Sequence, residues 1–315
     1  MHEPTTGPSA ALGNVLIALL CLIWGSTWMV IQRGLADLPP FTSAAARFVL
    51  AAIAMSVVVP LFRRRESGRE PELWLCAVVG VCNFGVSYGI VYWSETRIPS
   101  GLASVLWSIF PMLMAASGHL FLPGETLRGR QWLGFVVGFV GVAFLFETAL
   151  RASGLDAAPA GLVMCLSPLV SAIGTTVLKR HGSGIRSMTL NRNAMWIGAA
   201  LLCTAAAVLE NGRSARWNAT SAGSVIYLAF VGTALTFGLY FWLLRHLPAH
   251  KLSLISYVTP AIALMLGTFV GKEPFTAFTG IGSALILAGV CLVVHRPTPR
   301  SAEPVSATSV RNARS

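Results

Sequence analysis

Charge is scarce in this chain of 315 residues. Asp, Glu, Lys and Arg make up 11% against 55% hydrophobic residues, whereas a soluble domain carries about 25% charged residues. The six cysteines, Cys21, Cys76, Cys82, Cys165, Cys203 and Cys291, include no CxxC pair and all lie in apolar runs. They read as small buried hydrophobes, with no disulfide framework or zinc site expected. Acid is scarcest of all, 12 Asp and Glu against 23 Lys and Arg, and the apolar runs hold none away from their ends. A membrane-embedded enzyme needs a nucleophile with its base, clustered carboxylates or paired metal ligands. The pair His246 and His250 has no acidic partner nearby, so no catalysis, metal or cofactor is expected.

What is present is ten apolar stretches, residues 14–32, 38–62, 73–94, 98–122, 131–146, 157–178, 193–209, 222–244, 252–271 and 275–294. A transmembrane helix needs about 20 such residues. The runs are continuous rather than alternating, which excludes a barrel. The fold class expected is an all-α integral membrane protein embedded in a lipid bilayer.

The net charge of +11 has a topological cause. With the N-terminus in the cytoplasm, fifteen basic residues, among them Arg63 to Arg65, Lys179, Arg180 and Lys251, fall in inner loops and six in outer loops. This positive-inside bias puts both termini in the cytoplasm. No basic cluster interleaved with stacking aromatics sits on a soluble module, so nucleic acid is not an expected partner. The first twelve residues carry no basic n-region or cleavage site, so the first run reads as a retained helix. The tail Pro297–Ser315, rich in Ser, Ala and Arg, reads as disordered.

The chain repeats itself. Gly25 matches Gly174, Trp93 matches Trp242, Pro99 matches Pro248 and Pro111 matches Pro260, each 149 positions apart. Glu125 then matches Glu273, Gly134 matches Gly282 and Gly141-Val142 matches Gly289-Val290, each 148 apart. Five spans per copy is an odd number, so the second copy must enter the membrane from the other side. Two inverted five-helix repeats are expected, over residues 13–148 and 157–295, between an N-terminal tail 1–12 and a C-terminal tail 296–315. Inverted repeats are the usual build of secondary carriers, with the substrate near the midplane.

Trp24-Gly25-Ser26-Thr27, Arg47-Phe48, the mid-span Pro111 and Pro260, Gly124-Glu125, Lys272-Glu273 and the Gly-Val pairs together resemble the EamA type of the drug/metabolite transporter superfamily. The resemblance covers residues 12–295. It implies a bacterial inner-membrane carrier moving small metabolites, commonly amino acids or their derivatives, outward by alternating access. It also implies a cavity lined by spans 1, 3, 4, 6, 8 and 9, with spans 5 and 10 peripheral. One departure is Ile173, which stands in the second copy where the first has Trp24.

The cavity candidates are Trp24, Ser26, Thr27, Asn83, Tyr88, Trp107, Ser108, Thr175, Thr176, Tyr240, Ser256 and Tyr257, aromatics and small polar groups in those spans. A mostly apolar pocket with a few hydrogen-bonding groups suits an amphipathic small molecule. Trp28, Tyr92, Trp93 and Trp242 read either with this set or as an interfacial aromatic belt. Asn83 either meets substrate or ties its span to a neighbour.

Pro111 and Pro260 each remove a backbone donor, freeing the carbonyls of Trp107 and Ser256, and read as paired hinges or static kinks. Arg47 is the charged residue well inside a span. It is either a counter-charge for a substrate carboxylate or a structural cation bonded within the protein. His119 is the interior group that titrates near neutral pH, and so the candidate proton-linked residue, against a packing role. Glu95, Glu125 and Glu273 sit at span ends, where the last two brace loops or cap helices. Gly134 and Gly138, with Gly280, Gly282 and Gly289, allow close helix approach, at a homodimer seam or within one chain. The rival cargo is drugs or other cationic and aromatic compounds, which aromatic walls attract. No interior acid pairs with a cation, which tilts the reading toward metabolites.

Overall fold

A computed structural model describes residues 9–62, 66, 68–123, 126–153, 157–247, 249–252 and 254–294. Glu125, Pro248 and the tail 297–315 lie outside the described residues, as do the side chains of His246 and His250. The described chain is helical, and a single backbone bridge between Arg69 and Ile185 joins two loops.

Among the described residues ten crossings are formed. They are α1 (Ala10–Leu35), α2 (Pro40–Phe62), α3 (Leu73–Glu95), α4 (Ser100–Phe121), α5 (Gly129–Ser153), α6 (Ala157–His181), α7 (Ser187–Leu209), α8 (Ala219–Ile226, Tyr227–Leu235 and Thr236–His246 in one run), α9 (Ile255–Phe269) and α10 (Ala277–Val294). A one-turn helix, Ala249–Leu252, precedes α9. Eight are long and apolar enough to cross a bilayer, and Gly129–Leu145 within α5 and Ile255–Phe269 are shorter apolar helices. α7 starts six residues before its apolar run, carrying Arg192 inside the helix, where the guanidinium bonds to Asn193 Oδ1 at 2.8 Å. Hydropathy alone truncates a helix whose first turns are polar.

The packing obeys a twofold relation between the repeats. α5 packs on α10, α2 on α7 and α4 on α9, each with its own repeat mate. The remaining major contacts come in exchanged pairs: α1 on α9 as α6 on α4, α1 on α8 as α6 on α3, and α2 on α8 as α7 on α3. Because each repeat crosses five times, the relation inverts the second copy.

The glycines show the dyad at atomic scale. A Cβ on Gly134 would lie 2.7 Å from the Gly289 carbonyl oxygen, and one on Gly141 would lie 2.7 Å from that of Gly282. These two contacts exchange under the 148-residue offset. Only glycine lets the α5 and α10 backbones approach so closely, and this contact lies within one chain.

Carboxylates from one helix end cap the buried N-terminus of another, satisfying donors that a helix leaves free. Glu210, after α7, accepts from Phe41 N and Thr42 N at 2.7 Å at the start of α2. Glu66, after α2, accepts from Met188 N at 2.7 Å at the start of α7. Glu273, before α10, accepts from Ser100 N and Gly101 N at 2.9 Å at the start of α4.

We call the side bearing the start of α1 and the end of α10 the terminal face. The larger buried core runs through α2 to α7 and α10 and takes in Ile31 of α1 and Leu228 and Ala229 of α8. A separate patch of Ile17, Leu20, Cys21, Leu243, Leu252 and Ile255 joins α1, α8 and α9 near the terminal face. The first segment of α4, Ser100–Trp107, packs on α9, α1 and α6, whereas the second, Phe110–Phe121, packs on α6 and α10. The two buried clusters therefore part toward the terminal face and join toward the opposite one.

Candidate functional site

The division between the clusters is bordered by aromatics. Trp24 of α1 meets Tyr240 and Phe237 of α8, with ring centroids 5.7 and 6.1 Å apart. One turn on, Trp28 lies 6.4 Å from Trp107 of α4, which stacks on Phe110 at 5.0 Å. All six rings are half-buried. Ser26 bonds the Tyr227 hydroxyl at 2.7 Å and donates to the Ile23 carbonyl, while buried Thr27 donates to the Trp24 carbonyl at 2.7 Å.

At the centre of this wall α4 breaks. Ser108 N still reaches the Ser104 carbonyl at 3.1 Å, but Ile109 N finds that of Leu106 only at 3.5 Å, and Pro111 has no donor to return to Trp107. The helix stops at Trp107 and restarts at Phe110. The Trp107 ring is fixed from behind. Its Nε1 donates to Ser167 Oγ at 3.2 Å, and Ser167 bonds Ser87, which accepts from Ser171, at 2.8 and 2.9 Å. A Trp on a broken helix is thus held by hydroxyls from α3 and α6.

α3 and α8 each open into wide i→i+5 turns, over Gly80–Val86 and Tyr227–Leu235. The 149-residue offset maps one onto the end of the other. Such turns occur often at functional sites. In α8 the Thr233 hydroxyl fills the widened turn by donating to the Leu228 carbonyl at 2.7 Å.

The structure gathers Trp24, Ser26, Thr27, Trp107 and Tyr240 around the division, and adds Trp28, Phe110, Tyr227 and Phe237. The other sequence candidates lie elsewhere. Asn83 donates to Thr175 Oγ1 at 2.8 Å and the Ser171 carbonyl at 3.3 Å, tying α3 to α6. A side chain on Gly174 would strike Cys82 Cβ at 2.6 Å, so glycine permits that contact. Thr176 is buried against Met114, and Ser108 is buried with its hydroxyl on the Val105 carbonyl. Ser256 is half-buried at the start of α9, and the Tyr257 hydroxyl points to the Val290 carbonyl of α10 at 3.4 Å. Pro260 is buried within an unbroken α9.

Arg47 is 2% exposed and enclosed by protein. Its Nε donates to Thr233 Oγ1 at 3.1 Å and its Nη1 to the Tyr92 hydroxyl at 3.4 Å, while its guanidinium lies 4.9 Å from the Tyr88 ring centroid. Tyr92, fully buried, belongs to this cluster rather than to an interfacial belt, and Tyr88 packs edge-on to Phe48 at 4.6 Å. His119 is exposed near the end of α4, where Nδ1 accepts from Leu127 N at 3.4 Å and the ring meets Trp132.

Sequence reasoning missed Glu95. Placed at a span end, it is nevertheless 2% exposed. Hydropathy cannot show that its helix end is covered by other helices. Phe110, Phe237 and Tyr227 were also missed; their signal was the company of Pro111 and Tyr240 on the same spans.

Comparison with known proteins now settles the class. The profile of the EamA-like transporter family matches residues 11–147 and again 158–295. The chain belongs to the EamA-like transporter family. It is a multi-pass membrane protein of transporter type. The uncharacterized inner membrane transporter YedA of Escherichia coli K12 is 27% identical over 301 residues, 94% of this chain and 95% of its own. The uncharacterized transporter YoaV of Bacillus subtilis is 25% identical, covering 87% of this chain and 94% of its own. A probable terminal-alkyne amino-acid exporter of Streptantibioticus cattleyicolor is 26% identical over 91% of this EamA-type chain and 95% of its own. A chain of known crystal structure superposes with a TM-score of 0.63 at 19% identity, over 91% of this chain and 97% of that one, which supports the fold.

Proposed function

We propose that this protein is a secondary carrier of the bacterial inner membrane that exports small amphipathic metabolites, amino acids or their derivatives, by alternating access. Both termini face the cytoplasm in this reading, which rests on the fifteen-to-six bias of basic residues. The terminal face is then the cytoplasmic one, and in this reading the parted clusters belong to the inward-facing state. The repeats 13–148 and 157–295 are the units that rock.

The observation that carries the proposal is the break of α4 between Trp107 and Phe110, set among half-buried aromatics where the core parts toward one face. Carriers place substrate at discontinuous helices near the midplane. The proline-freed carbonyl of Trp107 offers an acceptor to an ammonium group, and Ser26 and Tyr227 offer hydroxyls. The rings of Trp24, Trp28, Trp107 and Tyr240 supply apolar walls. The name of the Streptantibioticus relative adds support for amino-acid cargo. No covalent step enters this reading.

Efflux of aromatic cations is the second reading, and one observation favours it. Arg47 is enclosed between α2, α3 and α8, so its charge is spent on Tyr92, Tyr88 and Thr233 rather than offered to a carboxylate. The site it leaves is aromatic. The test is the extracellular metabolome of cells overproducing the protein, against cells carrying Trp107→Ala with Pro111→Ala at matched membrane levels. Accumulation of particular amino acids with the intact protein alone supports export. Indistinguishable media, followed by resistance to cationic dyes from the intact protein alone, support the second reading.

A further inference from the structure

Three carboxylates near the opposite face are buried or half-buried, and their surroundings differ. Glu210 and Glu273 each accept backbone hydrogen bonds at a helix N-terminus, and each also accepts from a hydroxyl, that of Thr42 at 2.7 Å and that of Ser100 at 2.5 Å. Three donors at a helix N-terminus suit a charged carboxylate. Glu95 has none. It is 2% exposed, and neither Oε1 nor Oε2 has a hydrogen-bond partner among the described residues.

Burying an ionised carboxylate without a donor costs several kcal/mol or more, and such groups become neutral instead. The charged neighbours of Glu95 are Arg47 from α2 and Glu273 from the connection before α10. Arg47 is already bonded to Tyr92 and Thr233, and Glu273 opposes a second negative charge. On its own helix the titratable neighbour is Tyr92, turned to Arg47. Gln32 of α1 donates to the Ile98 carbonyl at 3.4 Å, and Ser100 and Ser104 of α4 are bonded to Glu273 and the Gly101 carbonyl. None of these supplies a proton to the Glu95 oxygens.

We propose that Glu95 is a proton-binding site tied to closure of the opposite face. The ligand is a proton, since the nearby guanidinium disfavours a metal cation. In the closed state the carboxyl is neutral and dry. Opening must part the α3–α4 hairpin from the α9–α10 connection, breaking the Glu273 bonds to Ser100 and Gly101 and letting water reach Glu95. The proton then leaves for the solvent on that face, and the carboxylate resists reburial until it is protonated again. Because the closed state binds the extra proton, lowering the pH on that face favours closure and raising it favours opening. The site is one-sided, because residue 244, the repeat equivalent of Glu95, is leucine. The assignment holds for either cargo considered above.

Two measurements on the full-length protein in lipid nanodiscs test it. Infrared difference spectroscopy across a pH titration follows the C=O stretch of protonated carboxyl groups. A protonated-carboxyl signal at neutral pH, lost in Glu95→Gln and kept in Glu273→Gln, is expected; a signal unchanged in a folded Glu95→Gln protein overturns the assignment. In a cysteine-free background, Ser104→Cys reports access from the opposite face by reaction with an impermeant maleimide, normalised at each pH to the same thiol in unfolded protein. Labelling that accelerates with pH, and loses that dependence in Glu95→Gln, is expected. The same profile in both proteins overturns the link to closure.

Discussion

The two repeats carry the same proline and treat it differently. α4 stops at Trp107 and restarts at Phe110, one residue before Pro111, whereas α9 runs from Ile255 to Phe269 straight through Pro260. A proline removes one donor in either place; neighbouring side chains decide whether the helix parts. In α4 the Trp107 ring is stacked on Phe110 and tethered to Ser167, and Ser108 turns its hydroxyl to the Val105 carbonyl. At the positions equivalent to Trp107 and Phe110 α9 has Ser256 and Thr259, so the stacked pair of rings is missing, and Tyr257 between them turns to the Val290 carbonyl of α10.

A second contrast runs through α2 and α3 against α7 and α8. Arg47, Tyr88, Tyr92 and Glu95 have Trp196, Phe237, Phe241 and Leu244 as their repeat equivalents. All the charge of this cluster belongs to the first copy. The scaffold is symmetric and the chemistry is not, so one face can be governed by a proton while the other is not.

The largest effect is expected where the symmetry is tightest. Gly289→Val would push a side chain into the Gly134 carbonyl, from which even a Cβ would lie only 2.6 Å. We expect loss of folded protein, read as collapse of the monodisperse peak in size-exclusion chromatography. Glu273→Ala should cost about 3 kcal/mol of stability, since bonds to a charged acceptor are each worth about 1.5–3 kcal/mol and are not additive. Glu210→Ala should cost a similar amount at α2, and a much smaller loss in either thermal melt would show that the two caps are not equivalent.

Trp107→Ser makes α4 resemble α9. It should abolish transport at unchanged membrane levels, because it removes the ring that lines the site; retained transport would place the cargo elsewhere. The smallest effect on stability is expected from the prolines. Pro111→Ala restores a donor for the Trp107 carbonyl and should raise stability by about 1 kcal/mol or less while slowing transport. Pro260→Ala should leave transport nearly intact, and equal slowing by both variants would make the prolines a true hinge pair.

Much of this protein was legible in its residues. Ten crossings follow from apolar run lengths, and the inversion follows from matches such as Trp93 with Trp242 and Pro111 with Pro260. Trp24, Ser26, Thr27, Trp107 and Tyr240 were readable as a group because they are rings and hydroxyls in cavity-type spans. Asn83 with Thr175, and Arg47 with Thr233, were not, since partners 92 and 186 residues away carry no local signal.

The sequence by itself determined the solvent of this protein and the opposite orientation of its two halves, because lipid demands long apolar helices and an odd number of crossings must invert a repeat. Only the tertiary structure decided which glycines face one another, which carboxylate caps which helix and which is left without a donor. Glu95, Glu210 and Glu273 all stand near helix ends in the sequence. What separates them is which backbone N–H groups arrive beside each one, and that depends on how distant helices pack.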